Sequence, residues 1–142
     1  CLDDALVTNY SMEPGVRFRQ LAQQFDLIEA LASSKSRIGV DFGSIGFCHV
    51  ASGASNAFIE FAKGFWLWDW YAGRCILEAA GGAVIDPDGS RLPLILPTTQ
   101  EGLRAELTKR RKFVAAGSID LATSLLMVVN FDLESPVVEK EV

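Results

Sequence analysis

The sequence predicts an α/β protein in which helices pack on a sheet. Short β-rich segments alternate with helical segments in the order β-α-β-α-β-α-β-β-(α)-β-α, a pattern typical of a sheet covered by helices. Hydrophobic residues make up 49% of the 142 residues and charged residues 22%, which is the composition of an ordinary globular domain. We therefore expect one domain over residues 1–130 and a frayed acidic tail over 131–142.

The predicted strands combine β-branched and aromatic residues between turn signals. They cover Ala5–Tyr10, Arg37–Phe42, Asn56–Phe61, Ala83–Ile85, Leu92–Leu96 and Phe113–Ala116. Asp86–Gly89 has Pro and Gly at positions that favour a tight turn. It therefore predicts a hairpin between the fourth and fifth of these strands.

The predicted helices follow from apolar spacing and from their end signals. They cover Val16–Leu31, Ile45–Ser52, Asp69–Ala80, Gly102–Thr108 and a last segment from Ser118 or Ile119 to about Asn130. The first helix has apolar residues spaced by three and four at Phe18, Leu21, Ala22, Phe25, Ile28 and Leu31. Ser44 is the predicted N-cap of the second helix.

Charge and cysteine usage exclude several classes of protein. The net charge of −5 argues against a nucleic-acid surface. The longest apolar runs are far shorter than the roughly 20 residues that span a bilayer, and we expect no membrane association. Cys1, Cys48 and Cys75 are odd in number and lack metal-like spacing, which predicts a reduced, cytoplasmic protein. Since the sequence starts at Cys1 and enters a strand almost at once, we expect it to come from the middle of a longer protein.

The stretch Phe65–Gly73 places three tryptophans, a phenylalanine and a tyrosine around one carboxylate, Asp69. An ionised carboxylate is costly to bury unless a positive or hydrogen-bonding group meets it. Asp69 therefore caps a helix, holds a cation, or sits in water beside an apolar patch. As a helix cap it would contribute about 0.3–1 kcal/mol through the helix dipole.

Motifs in this region resemble the C-terminal signature of the inositol monophosphatase family. That signature is W-D-x-A-A-G, a helix ending in E-A-G-G, and a strand leading into D-P-x-G. The matching residues here are Trp68-Asp69, Ala72-Gly73, Ile76, Gly81-Gly82 and Asp86–Gly89. Tyr71 departs from the pattern by replacing an alanine, and Glu78 falls one residue early.

The flanking segments also resemble this family. Leu6-Val7-Thr8 resembles its L-V-T strand, and Asn56–Glu60 resembles D-A-Y/F-x-E. Gly43-Ser44 with Cys48–Gly53 resembles the G-S/T-A-A…C-x-V-A-x-G helix. The match covers roughly residues 4 to 128, and its specificity comes from the order of several short motifs.

The resemblance implies the C-terminal half of a sugar-phosphatase fold, with a central mixed sheet flanked by helices. It also implies Mg²⁺-dependent hydrolysis of a phosphate monoester of a polyol, in which Asp69 ligates the metal and contacts a substrate hydroxyl. Mg²⁺ prefers oxygen ligands in octahedral geometry, and two ions about 4 Å apart can hold the attacking and leaving oxygens. The family's D-P-x-D-G-T motif and an upstream glutamate that shares the metals are absent. We therefore expect this chain alone to be inactive, and the resemblance assigns it no catalytic residue.

Three further residues are candidate substrate contacts by the same resemblance. Glu60 corresponds to the family's polyol-binding glutamate, but it lies nine positions before Asp69 instead of seven. Either the intervening loop has two extra residues, or Ala62 occupies that site. Gly43 and Ser44 would set backbone amides near the substrate, or they form only a turn and an N-cap. His49, the single histidine, receives no role.

Two kinds of alternative to an inositol phosphatase remain open at this point. The chain could be a non-catalytic polyol- or phosphate-binding module or a protein-interaction module. It could instead be part of an enzyme that acts on sugar bisphosphates or nucleotide 3′-phosphates. The expected partners are a phosphorylated polyol and either a second copy of the chain or a missing N-terminal half. A cleft rich in Phe65, Trp66 and Trp70 would suit such association.

Overall fold

The computed structural model describes residues 2–10, 21–93 and 95–132. Within these ranges it contains five strands and five helices with defined bounds, and residues 21–22 are also helical. The strands are β1 (Leu6–Tyr10), β2 (Arg37–Asp41), β3 (Ala57–Phe65), β4 (Ala83–Ile85) and β5 (Arg111–Ala116). The helices are α1 (Phe25–Ala32), α2 (Ile45–Ala51), α3 (Leu67–Ala79), α4 (Gln100–Leu107) and α5 (Ile119–Leu126). Nearly all of the predicted tail over 131–142 lies outside the described residues.

The five strands form one mixed sheet in the order β2-β1-β3-β5-β4. Strand β1 runs parallel to β2 and β3, whereas β5 runs antiparallel to β3 and β4. The predicted α/β class, with a central mixed sheet flanked by helices, is confirmed. Because β1, β2 and β3 point the same way, their carboxyl ends meet at one edge of the sheet, and β5 begins at that edge.

Both faces of the central strands are buried under helices, whereas β2 at the edge of the sheet leaves Ile38 and Val40 exposed. Alternate residues of β3 point to opposite faces, so that Ile59 and Phe61 join one apolar cluster and Phe58 joins the other. A register shift between Glu60 and Phe65 interrupts this alternation, and Phe65 joins the same cluster as Phe58. The first cluster includes Leu27 and Leu31 of α1 and Leu121 and Leu125 of α5. The second includes Phe47 and Val50 of α2 and Trp70 and Leu77 of α3. Burial on both faces explains why β3 is apolar along nearly its whole length.

Helix α3 approaches α2 closely at Gly73. A Cβ atom placed on Gly73 would lie only 2.4 Å from Cδ2 of Phe47, well inside van der Waals contact. Phe47 is fully buried, and its ring packs on those of Phe58 and Phe113 with centroids 5.5 and 4.9 Å away. The missing side chain at Gly73 therefore fixes where α3, and the carboxylate at its start, lies above the sheet.

The prediction of one continuous helix over Val16–Leu31 is wrong, because the helix is interrupted at Gln24 within the described residues. Gln24 has φ −94° and ψ 50°, and α1 begins only at Phe25; residues 16–20 lie outside the described part. The buried Gln24 side chain donates to the Asn130 carbonyl at 2.6 Å and accepts from its amide at 2.8 Å. This tertiary contact fixes the break, and it leaves Phe25 69% exposed while Leu27 is buried.

Three further segments differ from the predictions, two of them because of strand pairing. Strand β3 continues past Phe61 to Phe65 because β5 pairs along it, with a register shift between Glu60 and Phe65. Helix α3 then starts at Leu67, two residues before Asp69. The predicted strand Leu92–Leu96 is reduced to a single bridge between Ile85 and Arg91, since Pro93 has no N–H to extend the ladder; Leu94 is outside the described residues.

The turn predicted at Asp86–Gly89 is confirmed. The Gly89 amide donates to the Asp86 carbonyl at 3.0 Å, and Gly89 has φ +88°, a value that favours glycine. No helix in the described part of the chain has the length and apolar character that a membrane span requires.

Candidate active site

A small pocket opens at the edge where β2 and β3 end and β5 begins. It has a volume of about 150 Å³ and is lined by Gly43, Lys63, Gly64, Phe65, Trp66, Asp69 and Arg110. Gly43 follows β2, Trp66 follows β3, and Arg110 immediately precedes β5. In α/β sheets ligands bind outside the carboxyl ends of the strands, so this pocket has the position of a ligand site.

Asp69 is the third residue of α3, and its side chain lines the pocket. Its Oδ2 atom accepts a hydrogen bond of 3.3 Å from the Trp66 amide, while its own amide donates to the Trp66 carbonyl at 3.0 Å. The carboxylate thus satisfies one of the free amides at the helix start. It is half-buried and also borders the pocket, so capping the helix does not exclude contact with a ligand.

The aromatic residues around Asp69 divide between the core and the surface. Trp70 and Phe65 are buried in the cluster beneath α3, whereas Trp68 is 62% exposed. The Trp66 ring stacks on Trp68 with centroids 5.6 Å apart. The expected cleft of Phe65, Trp66 and Trp70 is therefore wrong for Trp70, which α3 turns into the core. Phe65 borders the pocket beside Trp66, but it too is almost fully buried.

Arg110 was not singled out in the sequence, yet it forms one wall of the pocket. Its guanidinium carbon lies 4.2 Å from the centre of the Trp66 ring, within the range of a cation–π interaction. Its Nη1 atom donates to the Gly64 carbonyl at 3.4 Å. Gly64 has φ +79°, and a Cβ atom there would lie 3.1 Å from the Arg110 Cβ and from the Arg111 backbone. Glycine at this position lets the start of β5 lie close to the end of β3, and Arg110 can therefore reach the pocket.

Glu60 is fully buried in β3 and is not among the residues that line the pocket. Its Oε1 atom accepts hydrogen bonds from the amides of Ala62 at 2.8 Å and Gly64 at 3.2 Å. Burial raises the pKa of this carboxyl, and those two amides and nearby Lys63 partly oppose the shift. The predicted substrate contact of Glu60 stays a prediction, while the structure shows this carboxyl shaping the irregular end of β3. Ala62, the alternative, is also buried.

Gly43 and Ser44 lie where the sequence predicts, at the entry to α2. Gly43 has φ +56° and lines the pocket. Ser44 is the residue before α2, but its side chain makes no hydrogen bond to the helix start. Ser44 does not line the pocket, so the structure brings Gly43 and Asp69 together and leaves Ser44 beside them.

His49 forms an ion-pair-like contact that the sequence did not predict. Its Nδ1 atom lies 2.9 and 3.0 Å from the two carboxylate oxygens of Asp41 at the end of β2. Asp41 is only 4% exposed and also accepts from the Phe42 amide, whereas the His49 side chain is 46% exposed. The spacing of eight residues, from the end of a strand to the last turn of the next helix, is the signal that could have suggested this pair.

The acidic residues of the described part do not by themselves fit a magnesium site. Mg²⁺ requires several oxygen ligands in near-octahedral geometry. No group of three or more His, Cys, Asp or Glu side chains in the described ranges is arranged to hold a metal ion. Asp69 shares its pocket with two cationic side chains, Lys63 and Arg110, and it can supply only one ligand of such a site.

Comparisons with known proteins agree with the motifs. The sequence profile of the inositol monophosphatase family matches residues 6–123. Inositol monophosphatase 2 of Homo sapiens is 42% identical over 52 residues, which cover 37% of this chain and 17% of the human protein. The protein of the same name from Saccharomyces cerevisiae is 48% identical over 42 residues, covering 30% of this chain and 14% of the yeast protein.

Solved structures of inositol monophosphatases and similar proteins share the fold of this chain. An inositol monophosphatase from Anabaena (Nostoc) superposes with a TM-score of 0.60 at 21% identity, over 91% of this chain and 45% of that one. A Pyrococcus horikoshii protein described as similar to inositol-1 monophosphatase gives a TM-score of 0.65 at 17% identity, over 90% of this chain and 43% of that one. The chain therefore spans less than half the length of these relatives. The profile match over residues 6–123 spans most of the sequence, and it shows that this chain belongs to the inositol monophosphatase family.

Proposed function

We propose that this chain forms part of a Mg²⁺-dependent hydrolase of phosphate monoesters, with an inositol phosphate as its substrate. The observation that carries the proposal is the position of Asp69. Its carboxylate stands at the start of α3 and faces a pocket at the carboxyl edge of the sheet, within the profile of a family named for this activity.

In this proposal Asp69 supplies one metal ligand, and the other carboxylates belong to polypeptide that this sequence does not contain. Two observations support this assignment of the metal ligands to two parts of the enzyme. The described residues present no second carboxylate in a metal-binding group with Asp69, and the chain spans less than half the length of the solved relatives. Gly43 borders the same pocket, and together with Ser44 it would place backbone amides beside the substrate.

The test is hydrolysis of inositol 1-phosphate with and without Mg²⁺. The chain alone is expected to release no phosphate, whereas the same chain joined to the N-terminal half of the enzyme is expected to do so only with Mg²⁺. Activity of the bare chain, or activity of the complete enzyme that needs no metal, would refute the proposal. A panel containing a sugar bisphosphate and a nucleotide 3′-phosphate then ranks the substrate classes.

A second candidate function is a binding module without catalysis. It is favoured by the two cationic side chains that share the pocket with Asp69, because such a pocket can hold an anion without a metal. Saturable binding of inositol 1-phosphate by the complete protein, with no turnover at any Mg²⁺ concentration, would favour this function over hydrolysis.

A further inference from the structure

We propose that Lys63 and Arg110 form an anion subsite, which holds a phosphate group by side-chain charge without a divalent metal. The inference rests on the proposed function for the class of ligand, a phosphate monoester. It differs from that proposal in assigning phosphate recognition to two cationic side chains that the motifs do not include.

The charge of these two residues is available to a ligand. Three other arginines of the described part form ion pairs with glutamates. Arg74 and Arg91 lie 2.9 and 3.9 Å from Glu78, and Arg111 lies 2.8 Å from Glu106. Lys63 and Arg110 are exposed, and among the residues that the structure describes neither is in an ion pair. Among the side chains that line the pocket, two are cationic and one, Asp69, is anionic.

The guanidinium of Arg110 is held in place before any ligand arrives. Stacking on Trp66 at 4.2 Å and donation to the Gly64 carbonyl restrict its orientation. A planar guanidinium presents its remaining N–H groups in the fork geometry that suits a phosphate. Since the side chain is already ordered, less conformational entropy is lost on binding.

The pocket has the size expected for a site that binds a small anion. Its volume of about 150 Å³ is below the roughly 300–1,000 Å³ typical of pockets that bury a drug-sized ligand. At about 30 Å³ per water molecule of liquid, it has space for a phosphate group with a little water. The rest of a phosphorylated polyol would extend out of the pocket toward solvent.

The direct test is titration of the folded chain with inorganic phosphate in the presence of EDTA, followed by tryptophan fluorescence, because Trp66 contacts Arg110. Lys63→Gln and Arg110→Gln are each expected to weaken binding about tenfold or more. Arg110→Lys keeps the charge but loses the planar fork, and it is expected to give a smaller loss. Asp69→Asn is expected to strengthen binding, since it removes a negative charge from the pocket.

Lys109→Gln is the matched control, because it removes the same charge from the neighbouring position, which does not line the pocket. It is expected to leave phosphate affinity within about twofold of wild type. Thermal denaturation checks that every variant is folded. The inference is overturned if no phosphate binds in EDTA, if Lys63→Gln and Arg110→Gln bind as wild type does, or if Lys109→Gln loses as much affinity as they do.

The phosphate-binding test can succeed or fail independently of the proposed hydrolase function. Metal-independent phosphate binding that needs Lys63 and Arg110 would stand even if the complete enzyme hydrolysed nothing. Conversely, Mg²⁺-dependent hydrolysis with the same KM in wild type and Arg110→Gln would support the enzyme and refute the subsite.

Discussion

The Oδ2 atom of Asp69 lies 3.3 Å from the backbone nitrogen of Trp66, so this carboxylate caps α3 while it also faces the pocket. The two roles require different properties of the side chain. Capping needs only an oxygen acceptor at this position, whereas ligation of a metal needs the negative charge. Substitutions that keep one property and remove the other can therefore separate them.

Replacement of Asp69 should affect stability through the cap alone. Asp69→Asn keeps an acceptor oxygen, and we expect it to change the free energy of unfolding by less than about 0.5 kcal/mol. Asp69→Ala removes the acceptor and should cost about 1 kcal/mol. Urea denaturation of the three proteins measures both values. A loss of several kcal/mol in Asp69→Asn would show that the charge itself stabilises the fold.

Gly73→Ala should destabilise the chain although alanine favours helices. The added methyl group would lie 2.4 Å from Cδ2 of Phe47, and overpacking of this kind costs about 1–3 kcal/mol. That exceeds the gain of up to about 1 kcal/mol from helix propensity. Thermal or urea denaturation measures the net effect. In a Phe47→Leu background the same substitution should cost less; an equal cost in both backgrounds would mean that the contact is not the cause.

Glu60→Gln should change how stability depends on pH. Burial raises the pKa of Glu60 in the folded chain above its ordinary value of 4.5, so the folded state holds this proton to higher pH than the unfolded state does. The contribution of Glu60 is therefore fully present below pH 4.5 and is lost as pH rises toward the folded-state pKa. The stability of Glu60→Gln relative to wild type should rise over the same window.

Denaturant melts of wild type and Glu60→Gln at several pH values give this difference directly. Glu60→Ala is the control, since it leaves the amides of Ala62 and Gly64 without their acceptor. It should be less stable than Glu60→Gln by about 1–3 kcal/mol at every pH. A difference between wild type and Glu60→Gln that is independent of pH would contradict the assigned burial.

The pair of His49 and Asp41 should show energetic coupling. Asp41 is buried and accepts hydrogen bonds from the Phe42 amide, from Thr8 and from His49, so Asp41→Ala should cost about 1–3 kcal/mol. His49→Ala should cost less because its ring is half-exposed. A double-mutant cycle read by urea denaturation should give a coupling of about 0.5–3 kcal/mol. Additive effects would mean that the contact contributes no stability.

Local patterns in the sequence predicted much of the fold and the position of Asp69. Strands such as Ala83–Ile85 and the entry to α2 at Ser44 follow from turn residues and alternating apolar runs. The start of α3 was misplaced by two residues because Trp66, which precedes the helix, is not a usual N-cap residue. The order of short motifs, more than any single residue, indicated the family.

Contacts between distant residues could not be predicted in the same way. Arg110 reaches Trp66 only because β5 pairs antiparallel with β3 across a register shift. The break before Phe25 depends on Gln24 meeting Asn130, which is 106 residues away. The full burial of Glu60 follows from helices on both faces of the sheet, which the strand pattern alone does not reveal.

The decisive measurement is the rate of inositol 1-phosphate hydrolysis as a function of Mg²⁺ concentration. It compares the complete enzyme containing this chain with its Asp69→Asn variant, and Asp88→Asn in the exposed turn serves as the matched control. We expect Asp69→Asn to lower kcat/KM by about 100-fold or more, with the fold intact, and Asp88→Asn to leave it unchanged. An Asp69→Asn enzyme with wild-type turnover and wild-type dependence on Mg²⁺ would contradict the assignment of Asp69 as a metal ligand.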